Sequence, residues 1–355
     1  MPAGKGSETL PAEEGNDAVM LAVLSSLGLP APRDTDPRAI LDAHDESHFP
    51  QWKHAHAVSL KEEKCGSPRQ AECSLNYDLA QINASVLAID ATASAAENNA
   101  KHKHAREVCG SDNPKAVQDT GGWCYSEGSS VQVTAGGRVS GCNMTGLLNQ
   151  CNESDVEYLL PEFHIVPDPV LVDAMEALIH ILDGRNGPLG PTFSMADFGA
   201  GVGQLGHALK RRLPDVSYQG YDAGGNVEEF TKDFVKFADL TTPLSLPRAE
   251  WVYTSEVGEH IPNSLESEFI RNMHATNCRG VILSWAHVGQ RGHAHINCHS
   301  TDYLTHVFEE LGYRKNDELT MLLRGPQDLH DQRYAYWLAE NFLVLERITK
   351  PQGCA

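Results

Sequence analysis

Asp197-Phe198-Gly199-Ala200-Gly201-Val202-Gly203-Gln204-Leu205-Gly206 is the stretch that decides the fold of this chain. It follows the apolar run Phe193 to Ala196 and leads into His207-Ala208-Leu209-Lys210. A strand therefore ends near Asp197, the chain turns on glycines, and a helix begins. Glycine is needed where the backbone takes positive φ or must come close to a ligand. A helix N-terminus just beyond such a turn offers free N–H groups to anionic or polar ligand atoms.

Outward from that turn the pattern alternates. Short apolar runs lie at 193–198, 216–221, 234–237, 250–254 and 279–285, with helical stretches at about 202–212, 225–231, 262–276 and 300–311. A leading helix opens at Pro167-Asp168-Pro169 and runs to about Asp183, where Gly184 ends it. Alternating strands and helices predict an α/β fold, a parallel sheet with helices on both faces. Residues 312–324 and 341–348 read as two further strands, bringing the sheet to seven.

The first half is built differently. Residues 1–15 read as a disordered tail. Asn16 can cap a short helix over 17–27, stopped by Gly28 and Pro30, and Asp36-Pro37 can open another. From about 76 to 107 the residues Leu79, Ile82, Val86, Ile89, Ala93 and Ala96 recur at three- and four-residue spacing. That predicts a long helix, packed on its own chain or serving as the stem of a homodimer. Residues 108–152 are rich in Gly, Ser and Asn and predict turns and short strands. The expected organisation is thus a helical and irregular, cysteine-containing region over 16–152, followed by an α/β domain over 165–349.

The length of 355 residues suits two domains, and 41% hydrophobic with 21% charged residues is an ordinary globular composition. The net charge is −20 and both halves are acidic. A field of that sign repels phosphate backbones and argues against nucleic acid as substrate. No apolar run approaches the roughly 18 residues of a membrane span. The polar start carries no signal-peptide core, which favours the cytoplasm. Six of the nine cysteines fall between Cys65 and Cys151, alongside glycosylation sequons at Asn83, Asn143 and Asn152. These favour the secretory lumen as the alternative. No Cys-x-x-Cys pair suggests a metal site.

In doubly wound sheets ligands bind at the carboxyl ends of the strands, so the residues after each strand matter most. After the second comes Tyr221-Asp222, whose carboxylate can accept two hydrogen bonds from a ribose diol. After the third comes Ala238-Asp239-Leu240, and after the fourth Ser255-Glu256-Val257-Gly258-Glu259-His260-Ile261-Pro262. Leu283-Ser284-Trp285 ends the fifth. It is followed by a loop bearing Gly289-Gln290-Arg291-Gly292-His293-Ala294-His295-Ile296-Asn297-Cys298-His299.

Together with the opening glycine turn, these segments resemble the class I S-adenosylmethionine-dependent methyltransferases, within a largely uncharacterised family, over about residues 165–349. The resemblance implies a seven-stranded doubly wound, Rossmann-like sheet closed by an antiparallel strand pair, and S-adenosyl-L-methionine as cofactor. It places Asp197, Gly199, Gly201, Gly203, Asp222, Asp239, Leu240 and Glu256 around that cofactor, Asp222 at the ribose and Asp239 with Leu240 at the adenine. It turns Glu259 and His260 toward the methyl-acceptor side, with His293 and His295 in the loop above. Histidine titrates near neutrality, so His260 can take a proton from an attacking oxygen or nitrogen. The alternative for Glu259 and His260 is that they only orient their loop. Arg291 departs from the small residue expected there.

A metal held by His293, His295, His299 and His260 is not expected, because no acidic ligand lies near that loop in sequence. The acceptor is expected to be a small molecule, with a protein as the alternative. Two other readings stay open. Gly201 to Gly206 also fits Gly-x-Gly-x-x-Gly, which would suit an NAD(P)-dependent oxidoreductase. The domain could also be a catalytically silent, methyltransferase-like binding module. Substituting Gly201→Arg should abolish S-adenosylmethionine binding, because the side chain fills the space beside the turn. An unchanged calorimetric affinity would reject that placement.

Overall fold

A computed structural model describes residues 82, 85, 86, 89–110, 124–127, 130–134, 156–161, 164–184, 193–290, 292, 295–325 and 336–354. The tail, the two short helices expected before residue 45, all three sequons, Cys65, Cys73, Cys142, Cys151, Arg291 and His293 lie outside the described residues.

In chain order the elements are α1 Ala91–Cys109, β1 Val131–Thr134, β2 Val156–Leu160, α2 Pro169–Asp183, β3 Ser194–Phe198, α3 Gln204–Arg212, β4 Ser217–Asp222, α4 Val227–Phe230 and β5 Val235–Phe237. There follow β6 Ala249–Ser255, α5 Glu266–Thr276, β7 Asn277–Ser284, α6 Thr301–Glu310, β8 Tyr313–Lys315, α7 Asp317–Arg324, α8 Tyr336–Asn341 and β9 Leu343–Arg347. The leading helix α2 begins as its sequence dictates. Asp168 accepts the Val170 amide at 2.9 Å, proline sits in the first turn, and Gly184 closes the other end at φ 67°.

The seven-stranded sheet runs β5-β4-β3-β6-β7-β9-β8. All pairs from β5 to β7 are parallel, and β9 is antiparallel to both β7 and β8. The expected α/β sheet with its closing antiparallel pair is therefore present. Side chains alternate between its faces. Met195, Trp251, Tyr253 and Ile282 meet Met175, Leu178 and Leu209 from α2 and α3 on one side. Phe198, Val252, Val281 and Leu283 meet Phe269, Met273, Leu304 and Phe308 from α5 and α6 on the other. Each such buried side chain contributes roughly 1.5–3 kcal/mol, so the two layers fix which strand ends lie side by side. The order turns back at β3 and β6, and the chain reverses direction around that crevice.

Three expectations change. Residues 312–324 do not form one strand: β8 stops at Lys315 and α7 follows. The Asn316 side chain accepts the Leu319 amide at 3.0 Å, two acids fill the first turn, and Leu319, Thr320 and Leu323 are buried at helical spacing. The helix expected over 76–107 is interrupted at residues 89–90, where Asp90 accepts the amides of Thr92 and Ala93 and starts α1 afresh. Its inward face is also different. Ala93 and Ala96 are exposed, and Ser94 and Ala105 are buried. Of the short strands expected before residue 152, the described residues include β1, which pairs antiparallel with β2.

Two disulfides join described residues: Cys109–Cys124 beside α1, and Cys278–Cys354, which ties the chain's end to the start of β7. No described helix is long and apolar enough to cross a membrane. The second bridge closes a 76-residue separation at the start of an interior strand, the end of the parallel strands opposite the glycine turn. Substituting Cys354→Ser should cost roughly 2–4 kcal/mol of stability, and a thiol reductant, which also opens Cys109–Cys124, should bring the native chain and the variant to a common lower level. Differential scanning calorimetry measures both.

Candidate functional site

The turn after β3 holds three glycines in the left-handed region: Gly199 at φ 75°, Gly201 at φ 58° and Gly203 at φ 81°. A Cβ on Gly199 would lie 2.2 Å from Val257, and one on Gly203 would lie 2.6 Å from the Phe234 ring. Both space and backbone therefore require glycine. The Gly201 amide donates to Asp222 Oδ2 at 2.9 Å, and the Gly199 and Ala200 amides donate to the Tyr221 carbonyl. The turn after β3 is thus bolted to the end of β4.

Asp197, behind the turn, is buried. Burial pushes its carboxyl up to about 7, against the opposing effect of the Tyr218 hydroxyl, which donates to Oδ2 at 2.6 Å. Burial likewise raises the Asp222 carboxyl, opposed chiefly by the Gly224 amide. Asp222 Oδ1 accepts from the Gly224 amide at 2.8 Å and from the Tyr125 hydroxyl at 3.0 Å. A carboxylate has about four lone-pair sites, so three are taken.

Tyr125 belongs to the N-terminal region, and α1 reaches the same crevice. Lys101 Nζ donates to Asp239 Oδ2 at 2.8 Å, while Asp239 Oδ1 accepts the Thr241 amide and hydroxyl. Asn98 bridges the Phe237 carbonyl and the Asp239 amide, and the His102 ring stacks on Phe237 at 4.4 Å. Leu240 is buried beneath. The carboxylates of Asp222 and Asp239, predicted to grip ribose and adenine, are here held by the chain's own Tyr125 and Lys101.

At the other end of the crevice Glu256 takes φ 55°, a conformation uncommon for a residue with a side chain, directly after β6. Ser284 holds it there: its hydroxyl donates to Glu256 Oε1 at 2.9 Å, and the Glu256 amide donates to Ser284 Oγ at 3.1 Å. A 3₁₀ turn, Gly258–His260, follows. Glu259 is fully buried, and among the described side chains none hydrogen-bonds its carboxylate, which has only marginal contacts with its own amide and that of Ala286. Burial first, and then the charge of Glu256, push its pKa well above the ordinary carboxylate range.

The histidine-bearing loop returns over that turn. The amides of Ile296 and Asn297 donate to the Glu259 carbonyl at 2.8 and 3.0 Å, and Trp285 Nε1 donates to the Asn297 carbonyl at 2.6 Å. This brings the His295 ring to 5.2 Å from that of His260. His299 goes elsewhere: its Nε2 lies 2.6 Å from Oε2 of the buried Glu266, which also accepts from Asn297, while Tyr303 donates to Oε1. His293 lies outside the described residues.

The sequence-predicted residues thus form two groups, one around Gly201 and Asp222 and one around Glu256, Glu259, His260 and His295. Sequence reasoning missed Tyr125, Lys101 and Asn98, which reach the site across about a hundred residues or more. No local spacing carries that information.

No family model and no curated protein matches the chain. Among solved structures it is similar to magnesium protoporphyrin IX methyltransferase from Synechocystis PCC 6803 with bound SAH, at 16% identity and TM-score 0.36, over 50% of this chain and 84% of that one. It is similar also to the [4+2]-cyclase SpnF, at 14% and 0.34 over 50% and 81%. A third is the small RNA methyltransferase HEN1, at 14% and 0.36 over 51% and 25%. Likenesses of that level identify no residue roles and no acceptor. The sheet order itself carries the fold: a Rossmann-like, seven-stranded, mostly parallel sheet with an antiparallel closing pair.

Because Asp197 is protonated more readily when folded than when unfolded, its contribution has a definite sign. Between about pH 4 and 7 the folded chain keeps a proton the unfolded chain has lost, so stability falls as pH rises through that window. Asp197→Asn, which cannot ionise, should gain on the native chain by about 2–4 kcal/mol over the same window. Denaturant unfolding of both proteins at pH 4.5 and pH 8 measures the difference, and a constant gap would contradict the buried, raised carboxyl.

Proposed function

We propose that this chain is an S-adenosylmethionine-dependent methyltransferase acting on a small-molecule acceptor. The observation that carries the reading is the clamp between the Gly201 amide and Asp222 at the point where strand order reverses. It joins a three-glycine turn to an acid at the next strand's end, the pairing a nucleoside with a charged tail requires. The residues fit the cofactor in kind: Asp222 retains an open lone-pair site on Oδ2, and the left-handed glycines keep side chains out of the turn. Bound there, S-adenosylmethionine would supply an electrophilic methyl group on its sulfonium.

What the chain itself contributes is positioning and proton removal. Holding the acceptor in line with the methyl group removes several kcal/mol of barrier, about 7–11 kcal/mol at the upper end for well-oriented groups. His260 and His295, beside each other over Glu259, are the groups suited to take the acceptor's proton. The acidic field of the chain supports a small acceptor over a phosphate polymer. The two disulfides support an oxidising compartment over the cytoplasm.

One observation favours a second reading, a silent binding module: Tyr125 and Lys101 already hold the two acids that would receive the nucleoside. In the methyltransferase reading the segment bearing them is a cover that yields Asp222 and Asp239 when cofactor enters. Calorimetric titration with S-adenosylmethionine tests cofactor binding, and labelled methyl transfer across a broad acceptor panel separates the two readings, a silent module binding the cofactor without methylating any acceptor. Asp222→Asn should weaken binding about tenfold or more, the loss of a charge-assisted hydrogen bond of about 1.5–3 kcal/mol. Tyr125→Phe, by freeing Oδ1, should tighten it a few-fold. If the native chain and Tyr125→Phe both fail to bind, the methyltransferase reading is wrong. Binding of NAD instead would favour the oxidoreductase.

A further inference from the structure

Glu259 is the starting point. A carboxylate removed from water is stable only when paired, coordinated or protonated. This one is fully buried, with no side-chain hydrogen bond among the described residues and only marginal contacts to the backbone amides of Glu259 and Ala286. Among the described residues its one ion-pair partner is His295, whose Nε2 lies 4.0 Å from Oε1. Hydrogen bonding does not explain that spacing, which is too long for it. Ligand atoms of Glu259, His260 and His295 all lie within 4.8 Å of one another.

The surroundings are arranged as a ligand set requires. His295 Nδ1 lies 3.2 Å from the Gln290 carbonyl, so Nδ1–H donates and the lone pair falls on Nε2, the atom facing Glu259. Fixing a histidine's tautomer through a backbone carbonyl is the usual outer support of a metal-bound imidazole. Two backbone hydrogen bonds, from Ile296 and Asn297 to the Glu259 carbonyl, clamp the segment that carries His295 to the turn that carries the other two. Gly292 leaves room for the ring: a Cβ there would come within 2.0 Å of His295 Nε2.

We infer that Glu259, His260 and His295 form a binding site for a divalent transition-metal ion. Two imidazoles and one carboxylate suit Zn²⁺, Fe²⁺, Mn²⁺ or Co²⁺, and not Mg²⁺ or Ca²⁺, which prefer oxygen throughout. Ligand atoms around one ion, at bonds of about 2.1 Å, stand roughly 3.0–3.4 Å apart. The cluster therefore closes by about an ångström on binding, within the reach of side-chain rotation. An ion also offsets the neighbouring charges of Glu256 and Glu259. Three protein ligands leave at least one position open, as in sites that bind a reactant and not as in closed structural sites.

The site stands on its own geometry. Its use rests on the methyl-transfer reading: the ion would bind an acceptor oxygen and lower its pKa, the proton passing to solvent, so that in the metal-loaded protein His260 and His295 serve as ligands and not as the base. The acidic ligand absent from the sequence neighbourhood of the histidine loop comes from the turn after β6.

The test uses the full chain without a histidine tag, stripped with a chelator and titrated with Co²⁺ and Zn²⁺. One equivalent of Co²⁺ should bind, with visible d–d absorption. Glu259→Gln and His295→Ala should each weaken binding by about a hundredfold or more. His104→Ala, an exposed residue on α1, should leave it unchanged. Gly292→Ala, which displaces the His295 ring, should weaken it as well. If Glu259→Gln does not fold by circular dichroism, His295→Ala decides alone. Native affinity in a folded His295→Ala, or no stoichiometric Co²⁺ binding by the native chain, overturns the inference. S-adenosylmethionine is titrated into the same preparations. Metal binding without cofactor binding removes the methyl-transfer reading and leaves the metal site. Cofactor binding without metal binding does the reverse.

Discussion

The hydrogen bond from the Gly201 amide to Asp222 Oδ2 joins two strand ends that would otherwise only neighbour each other. It forms because Gly199, Gly201 and Gly203 can all occupy left-handed conformations, which aims the Gly201 amide sideways at β4 and not along α3. The same bend packs Phe234 against Gly203 and sets the start of α3 over the sheet. A carboxylate committed to a backbone amide is oriented, and an oriented carboxylate in a half-dry crevice is a recognition element at little entropic cost. The raised Asp197 carboxyl behind it belongs to the same arrangement. Burial raises it first, and the charge of Asp222 adds a smaller push in the same direction.

What covers the crevice is as informative as what lines it. Residue 125 and α1 belong to a region with no periodic relation to the sheet, yet they meet it in two ways: Ala105 and Tyr125 join a buried apolar cluster with Ala200, Val202, Val227 and Phe237, and Ser94, Asn98, Lys101 and Tyr125 add polar contacts. The polar contacts, beside the Cys109–Cys124 bridge, are the part that differs in kind from the apolar layers on the two sheet faces. Such contacts exchange readily for equivalent contacts with a ligand, because each lost hydrogen bond is replaced by another of similar strength.

The α/β sheet was legible because its signals are local. Glycines, caps and apolar runs lie within a few residues of the elements they specify, as at Asp168 and Gly184 for α2. Where the reading slipped, a single polar side chain outvoted the apolar pattern. Asn316 starts a helix inside what reads as a strand, and Asp90 divides what reads as one helix. The acid and glycine positions around the crevice were legible for the same local reason. The partners of those acids were not, since Tyr125 with Asp222 and Lys101 with Asp239 pair across long stretches of chain. Nor was the division among the histidines. His295 and His299 are four residues apart, and only the fold decides that one turns to Glu259 and the other to Glu266.

That division separates structural from reactive groups at the acceptor end. Glu266 is as buried as Glu259, but its two oxygens are answered by His299, Asn297 and Tyr303. Buried charge there is fully compensated and ties α5 to the returning loop. Glu259 lies a few residues away in a strained turn, beside a left-handed Glu256, without that compensation. A fold able to satisfy one buried carboxylate so completely could satisfy a second by the same means. That it leaves Glu259 open, flanked by two imidazoles and roofed by a loop clamped to its own carbonyl, locates the uncompensated polarity where a reactant or an ion would complete it.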